Sequence, residues 1–82
     1  MSASGLLIEL NGVEVWAFVV EHDSGYRIRL ALDDWQRLNV GIGQRLPIRL
    51  PGAGAARLFV TTATEEPPVV WVTVAARMRA AG

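Results

Sequence analysis

The sequence predicts an all-β fold, a small antiparallel barrel or sandwich of about six strands with one short helical turn. Three observations lead there. Apolar and polar residues alternate with a period of two in several segments, Asn11-Gly12 stands between two of them, and only Asp33 to Asn39 breaks into a helical pattern. Eighty-two residues hold one core and no second, so residues 1–82 are expected to form a single β domain. With 51% hydrophobic and 20% charged residues, the chain is far from the polar composition that keeps chains unfolded.

Gly5 to Leu10 alternates weakly and runs into Asn11-Gly12, the dipeptide best suited to a two-residue type I′ turn. The returning strand, Val13 to Glu21, carries Val13, Val15, Ala17 and Val19 on one face and Glu14, Trp16, Phe18 and Val20 on the other. His22-Asp23-Ser24-Gly25 reads as a turn in which Gly25 supplies a left-handed conformation. Tyr26 to Leu32 is the cleanest amphipathic strand, with Tyr26, Ile28, Leu30 and Leu32 inward and Arg27, Arg29 and Ala31 outward.

Asp33 to Asn39 offers an Asp N-cap, acid in the first turn and Asn39 with Gly41 as stop signals, with Trp35 and Leu38 facing the core. Gly41-Ile42-Gly43 bends into Gln44 to Leu50, where Leu46, Ile48 and Leu50 oppose Arg45, Pro47 and Arg49. Pro47 lacks a ladder donor, which predicts an edge strand or a bulge. A small-residue loop, Pro51 to Ala56, precedes a strand from Arg57 to Thr64, and Glu65-Glu66-Pro67-Pro68 connects it to Val69 to Ala76. There Val69, Trp71 and Thr73 share one side and Val70, Val72 and Val74 the other, and Arg77 to Gly82 reads as a fraying tail.

Composition narrows the function classes. The longest apolar run, Val15 to Val20, is far below the ~20 residues of a membrane-spanning helix, and no positively charged, apolar leader opens the chain, so a cytoplasmic location without membrane contact is expected. With no cysteine there is neither a disulfide nor a thiolate metal ligand. Eight acidic residues balance eight arginines with no lysine, a bias that suits a GC-rich, bacterial genome. Zero net charge gives no long-range field to draw in nucleic acid.

Chemistry-bearing residues are sparse. His22 is the one histidine, and its neighbours Glu21 and Asp23 point elsewhere on an extended chain, so it reads as a solvated turn residue rather than a metal ligand or proton shuttle. Asp33-Asp34 suits a helix start and Glu65-Glu66 a wet turn better than either suits paired-carboxylate catalysis. Gly41-Ile42-Gly43-Gln44 and Pro51-Gly52-Ala53-Gly54 lack the Lys-Ser/Thr ending of a phosphate loop, and Ser2, Ser4 and Ser24 lack a base to activate them. No enzyme activity, catalytic residue, metal or cofactor is expected.

Two surface readings remain. Arg27 and Arg29 share the outward face of one strand and Arg45 and Arg49 that of another; on neighbouring strands they would form one anion-binding patch, with Tyr26, Trp35 and Phe59 able to stack bases. The plainer reading is a solvated face partly neutralised by Glu9 and Glu14. Second, Val15 to Val20 and Val69 to Val74 are apolar on both faces, although a closed sheet buries only one. A covering layer is then needed, which predicts an interaction or structural domain that forms a homo-oligomer, most simply a dimer, through Trp16, Phe18, Val70 and Val72. Another protein is the other candidate to cover that face, and binding of nucleic acid or another anion through the arginines is the alternative function.

Overall fold

The computed structural model describes residues 5–22, 25–52 and 54–76. Six strands and one helix follow in the order β1 (Leu6–Leu10), β2 (Val13–His22), β3 (Gly25–Ala31), α1 (Leu32–Leu38), β4 (Arg45–Leu50), β5 (Gly54–Glu66) and β6 (Val69–Ala75). They close into an antiparallel barrel with strand order β1-β2-β3-β6-β5-β4. Two three-stranded meanders, β1-β2-β3 and β4-β5-β6, are therefore joined where β3 meets β6 and where β1 meets β4. The expected turn residues Asp23 and Ser24, the loop residue Ala53, Ser2, Ser4 and the tail from Arg77 lie outside the described residues.

Alternation decides the interior. Ile8 and Leu10, Val15 and Ala17, Ile28 and Leu30, Leu46 and Ile48, Leu58 and Val60, and Val70, Val72 and Val74 all point inward and are buried. No charged or polar residue is buried among the described residues. Trp35 and Leu38 complete this core from α1, which lies across the end of the barrel that carries the β1–β2 turn. The turn is of the expected kind, since Asn11 (φ 51°) and Gly12 (φ 83°) both take positive φ. The Asn11 backbone N–H donates to the Pro47 carbonyl at 2.8 Å and its side-chain amide to the Leu38 carbonyl at 3.3 Å, tying the turn to β4 and to the end of α1.

Four local expectations are corrected. No Asp caps α1: β3 runs on to Ala31, which therefore occupies the cap position without a side-chain bond, and the Leu32 N–H donates instead to the Pro68 carbonyl at 2.9 Å. Leu32 consequently opens the helix rather than ending a strand. Pro47 is not on an edge, because the barrel closes. Its carbonyl, and so its hydrogen-less nitrogen, faces the β1–β2 turn just past the end of β1, where no ladder bond to β5 is lost. Gly25 supplies no left-handed turn; it begins β3, and a Cβ there would sit 1.9 Å from the Val74 carbonyl oxygen.

One irregularity shapes the outer surface. Between Val60 and Thr62 the β5–β6 register shifts, leaving Thr61 as the extra residue of a bulge, and its hydroxyl donates to the Thr73 carbonyl at 3.1 Å. Ahead of the bulge the odd positions Arg57 and Phe59 face out; beyond it the even positions Thr62, Thr64 and Glu66 do, while Ala63 turns toward the core.

Candidate anion-binding face

The outer side of β2, β3, β6 and β5 carries cross-strand rows. Phe18, Arg29, Trp71 and Thr64 stand side by side, and Val20, Arg27, Thr73 and Thr62 form the next row. In the first, the Arg29 guanidinium lies between two rings, 4.4 Å from the centroid of Phe18 and 5.6 Å from that of Trp71. Arg27 leans on the same indole at 4.8 Å. Each such contact contributes about 0.5–1 kcal/mol at an exposed position. More important for chemistry, a guanidinium held by its face keeps its N–H edge directed elsewhere.

Neither arginine has a carboxylate at ion-pair distance among the described residues. The ion pairs there join Arg37 to Asp34 on α1 and Arg49 to Glu9, at 3.9 Å, across the β1–β4 junction. Beside Arg27 and Trp71 lies a groove of about 310 Å3, walled by Thr62, Thr64 and Thr73, with His22 and Glu66 also on its lining. The bulge at Thr61 supplies two of the three hydroxyls, because an unbroken alternation would have turned Thr61 and Ala63 outward instead.

The expected four-arginine patch does not form. β3 and β4 are three strands apart whichever way the barrel is followed, so Arg27 and Arg29 lie across the barrel from Arg45 and Arg49. Arg45 rests over Phe59 at 5.9 Å, and Arg49 is paired with Glu9. Nor do the expected stacking partners serve: Trp35 is buried, Tyr26 packs inward against the core, and Phe59 belongs to the Arg45 side. Phe18 and Trp71 hold the arginines instead. Phe18's place beside β3 follows from the short connection between β2 and β3, but Trp71's place on the other side depends on a β3–β6 pairing that nothing local reveals.

The expected interface set is also divided. Trp16, 65% exposed, and the half-buried Phe18 face outward. Val70 and Val72 are 0% and 1% exposed, part of the barrel core, so they share no surface with Trp16 and Phe18. Part of the covering that two-sided strands require comes from within: Arg27 and Arg29 lie over the rings of Trp71 and Phe18. What stays bare is a strip on β1 and β2, where Leu7 is paired with Trp16 and Val20 is 60% exposed.

Elsewhere the side chains converge on no chemistry. Asp33 and Asp34 lie in the first turn of α1, Glu65 and Glu66 at the exposed end of β5, and His22 at the exposed end of β2. Among the described residues no three His, Asp or Glu side chains gather into a metal-binding cluster, and no helix is long and apolar enough to cross a membrane. A wider cleft of about 440 Å3 opens at the β1–β4 junction, but its arginine, Arg49, already has Glu9 as partner. Set against family models, curated proteins and solved structures, the chain matches none.

Proposed function

We propose that the chain is a non-enzymatic binding domain that recognises an anionic group on the outer face of β2, β3 and β6. One observation carries this reading: Arg29 is held between Phe18 and Trp71, and Arg27 against Trp71, and among the described residues no carboxylate stands at ion-pair distance from either. An arginine whose stem is fixed on a sheet and whose face is stacked has already given up the rotamer freedom that binding would cost. Its N–H fork suits an oxyanion, and threonine hydroxyls beside it can donate to further oxygens. A phosphate offers oxygens to a guanidinium fork and a threonine hydroxyl together, and linked phosphates engage both arginines, whereas one fork saturates a carboxylate. A bacterial, cytoplasmic setting belongs to the same proposal, on the composition alone.

Inorganic pyrophosphate at low salt is the probe. Chemical-shift titration should show the Trp71 indole N–H and the Arg27 and Arg29 side chains responding, and Arg27→Gln or Arg29→Gln should each weaken binding roughly tenfold, the loss of a charge-assisted hydrogen bond. Arg45→Gln should change nothing. Equal loss from Arg45→Gln would mean general electrostatics and would sink the reading.

A second reading, self-association, is favoured by the bare strip of Leu7, Trp16 and Val20. Its occupant would be a second copy: the strip is uncharged between Glu14 and Glu21, and copies without net charge approach without repulsion. A two-fold axis lets the patch cover itself. Light scattering should then show the mass doubling with rising concentration and returning to that of one chain in Trp16→Asp. A single-chain mass well above micromolar concentration rejects it.

A further inference from the structure

We infer that the anionic partner is single-stranded nucleic acid, seated with phosphates on Arg27 and Arg29 and a base on the Trp16 indole. This rests on the anion-binding reading above and specifies its ligand.

The face divides its aromatic rings between two uses. Phe18 and Trp71 each carry a guanidinium, but among the described residues no guanidinium lies over Trp16, which is 65% exposed on the same outer face, two residues before Phe18 on β2. A flat, bare indole one row from Arg29 and two rows from Arg27 calls for a ligand that has both flat rings and repeated negative charge. Arg27 and Arg29 occupy alternate positions of one strand, so their stems are roughly 7 Å apart. That is comparable to the spacing of neighbouring phosphates along one nucleic-acid strand, so each arginine can take its own phosphate, and it is the bare indole that selects an unpaired strand. The threonine-lined groove continues from Arg27 across β6 to β5 and offers hydroxyl donors for the same backbone.

A duplex fits poorly. Among the described residues the one helix, α1, has seven residues and lies across one end of the barrel, so none is presented to a major groove; base faces are open to an indole only in a single strand. The two rows hold aromatic, arginine, valine and threonine side chains and no Asn or Gln, the amides that read base edges. Preference should therefore follow stacking strength rather than sequence. With zero net charge the chain has no field to supplement the two phosphate contacts, so the salt dependence has a defined size: a slope of log K against log salt of about −1.4, from ~0.7 per phosphate on single strands.

The test uses the whole chain, an end-labelled oligothymidylate of about a dozen nucleotides, the matching duplex and inorganic pyrophosphate, read by anisotropy and chemical shift over a range of salt. The single strand should bind more tightly than the duplex with the slope given above, and Arg27→Gln should cut that slope to about −0.7. Trp16→Ala should weaken the oligonucleotide roughly tenfold or more while leaving the slope and pyrophosphate binding unchanged. Circular dichroism on each variant separates loss of binding from loss of fold. If pyrophosphate binds through Arg27 and Arg29 but the oligonucleotide binds no better, or Trp16→Ala leaves it untouched, the inference is overturned and the anion site stands with a different ligand. Duplex binding as tight as single-strand binding overturns it as well. If neither probe binds, both readings fall. A Trp16→Ala protein that loses self-association but keeps oligonucleotide affinity assigns the indole to pairing and also overturns the inference.

Discussion

Gly25→Ala is expected to cost about 4 kcal/mol or more and to leave much of the protein unfolded at room temperature. A side chain at this position would place its Cβ 1.9 Å from the Val74 carbonyl oxygen and 2.7 Å from the Ala75 Cα. Both obstacles are backbone, so no rotamer change relieves them. β3 and β6 would have to part where Gly25 pairs with Ala75. A small domain without disulfides has a total stability of about 5–15 kcal/mol, and one of this size lies toward the lower end, so such a loss is a large share of it. Gly5→Ala is the control, because its Cβ would meet only ordinary contacts, the nearest at 3.7 Å on Trp16. Urea midpoints of the two variants measure the difference. A loss under about 1 kcal/mol in Gly25→Ala would show that the strands do not approach so closely.

Val72→Asp should abolish folding, whereas Phe18→Asp should leave a folded chain. Val72 is 1% exposed in a core where, among the described residues, no polar side chain is buried to receive a carboxylate, and an uncompensated buried charge costs several kcal/mol. Phe18 stands on the outer side, half-buried under Arg29, and its loss removes one ring contact of about 0.5–1 kcal/mol together with some apolar burial. Proton NMR dispersion on both variants decides. A well-folded Val72→Asp protein would put Val72 on an outer surface after all and restore it to the interface expected from sequence.

Much of the barrel was legible because local chemistry and global position agree in it. Asn11-Gly12 tolerates positive φ at both residues, and the arginines of Tyr26 to Ala31 can face only water, so hairpin and strand polarity follow from composition alone. Trp35 and Leu38 are spaced to meet the core from one side of a helical turn, and they do. Legibility ended where both alternatives were apolar. In Val69 to Val74 either parity could be interior, and only the pairing of β6 with β3 settles that Val70, Val72 and Val74 turn in.

The anion-binding face was half visible for the same reason. Arg27 and Arg29 announce themselves by alternation, and Phe18 stands on the preceding hairpin strand, but Trp71, which touches both, comes from β6 about forty residues on. The bulge that brings Thr62 and Thr64 outward has no signature in a run of β-forming residues, Thr61 through Thr64, where any one of them could be the extra residue. Gly25 looked like a turn glycine because glycine suits turns; that it admits a neighbouring strand is a property of the neighbour.

The two junctions between the meanders are unequal, and that bears on how the molecule breathes. β3 and β6 are zipped along the whole of β3, whereas β1 touches β4 only at Glu9 and Leu10. The next outward-facing partner for Leu7 along that register would be Pro51, which has no N–H to offer, so the seam stops there. A ring fastened by one zip and one latch opens at the latch. Transient opening, and the amide exchange that reports it, should run through Leu6 to Ile8 at far lower cost than through β3. Arg27, Arg29 and Trp71 ride on the zipped side, so the face they form keeps its shape while the other side of the barrel moves.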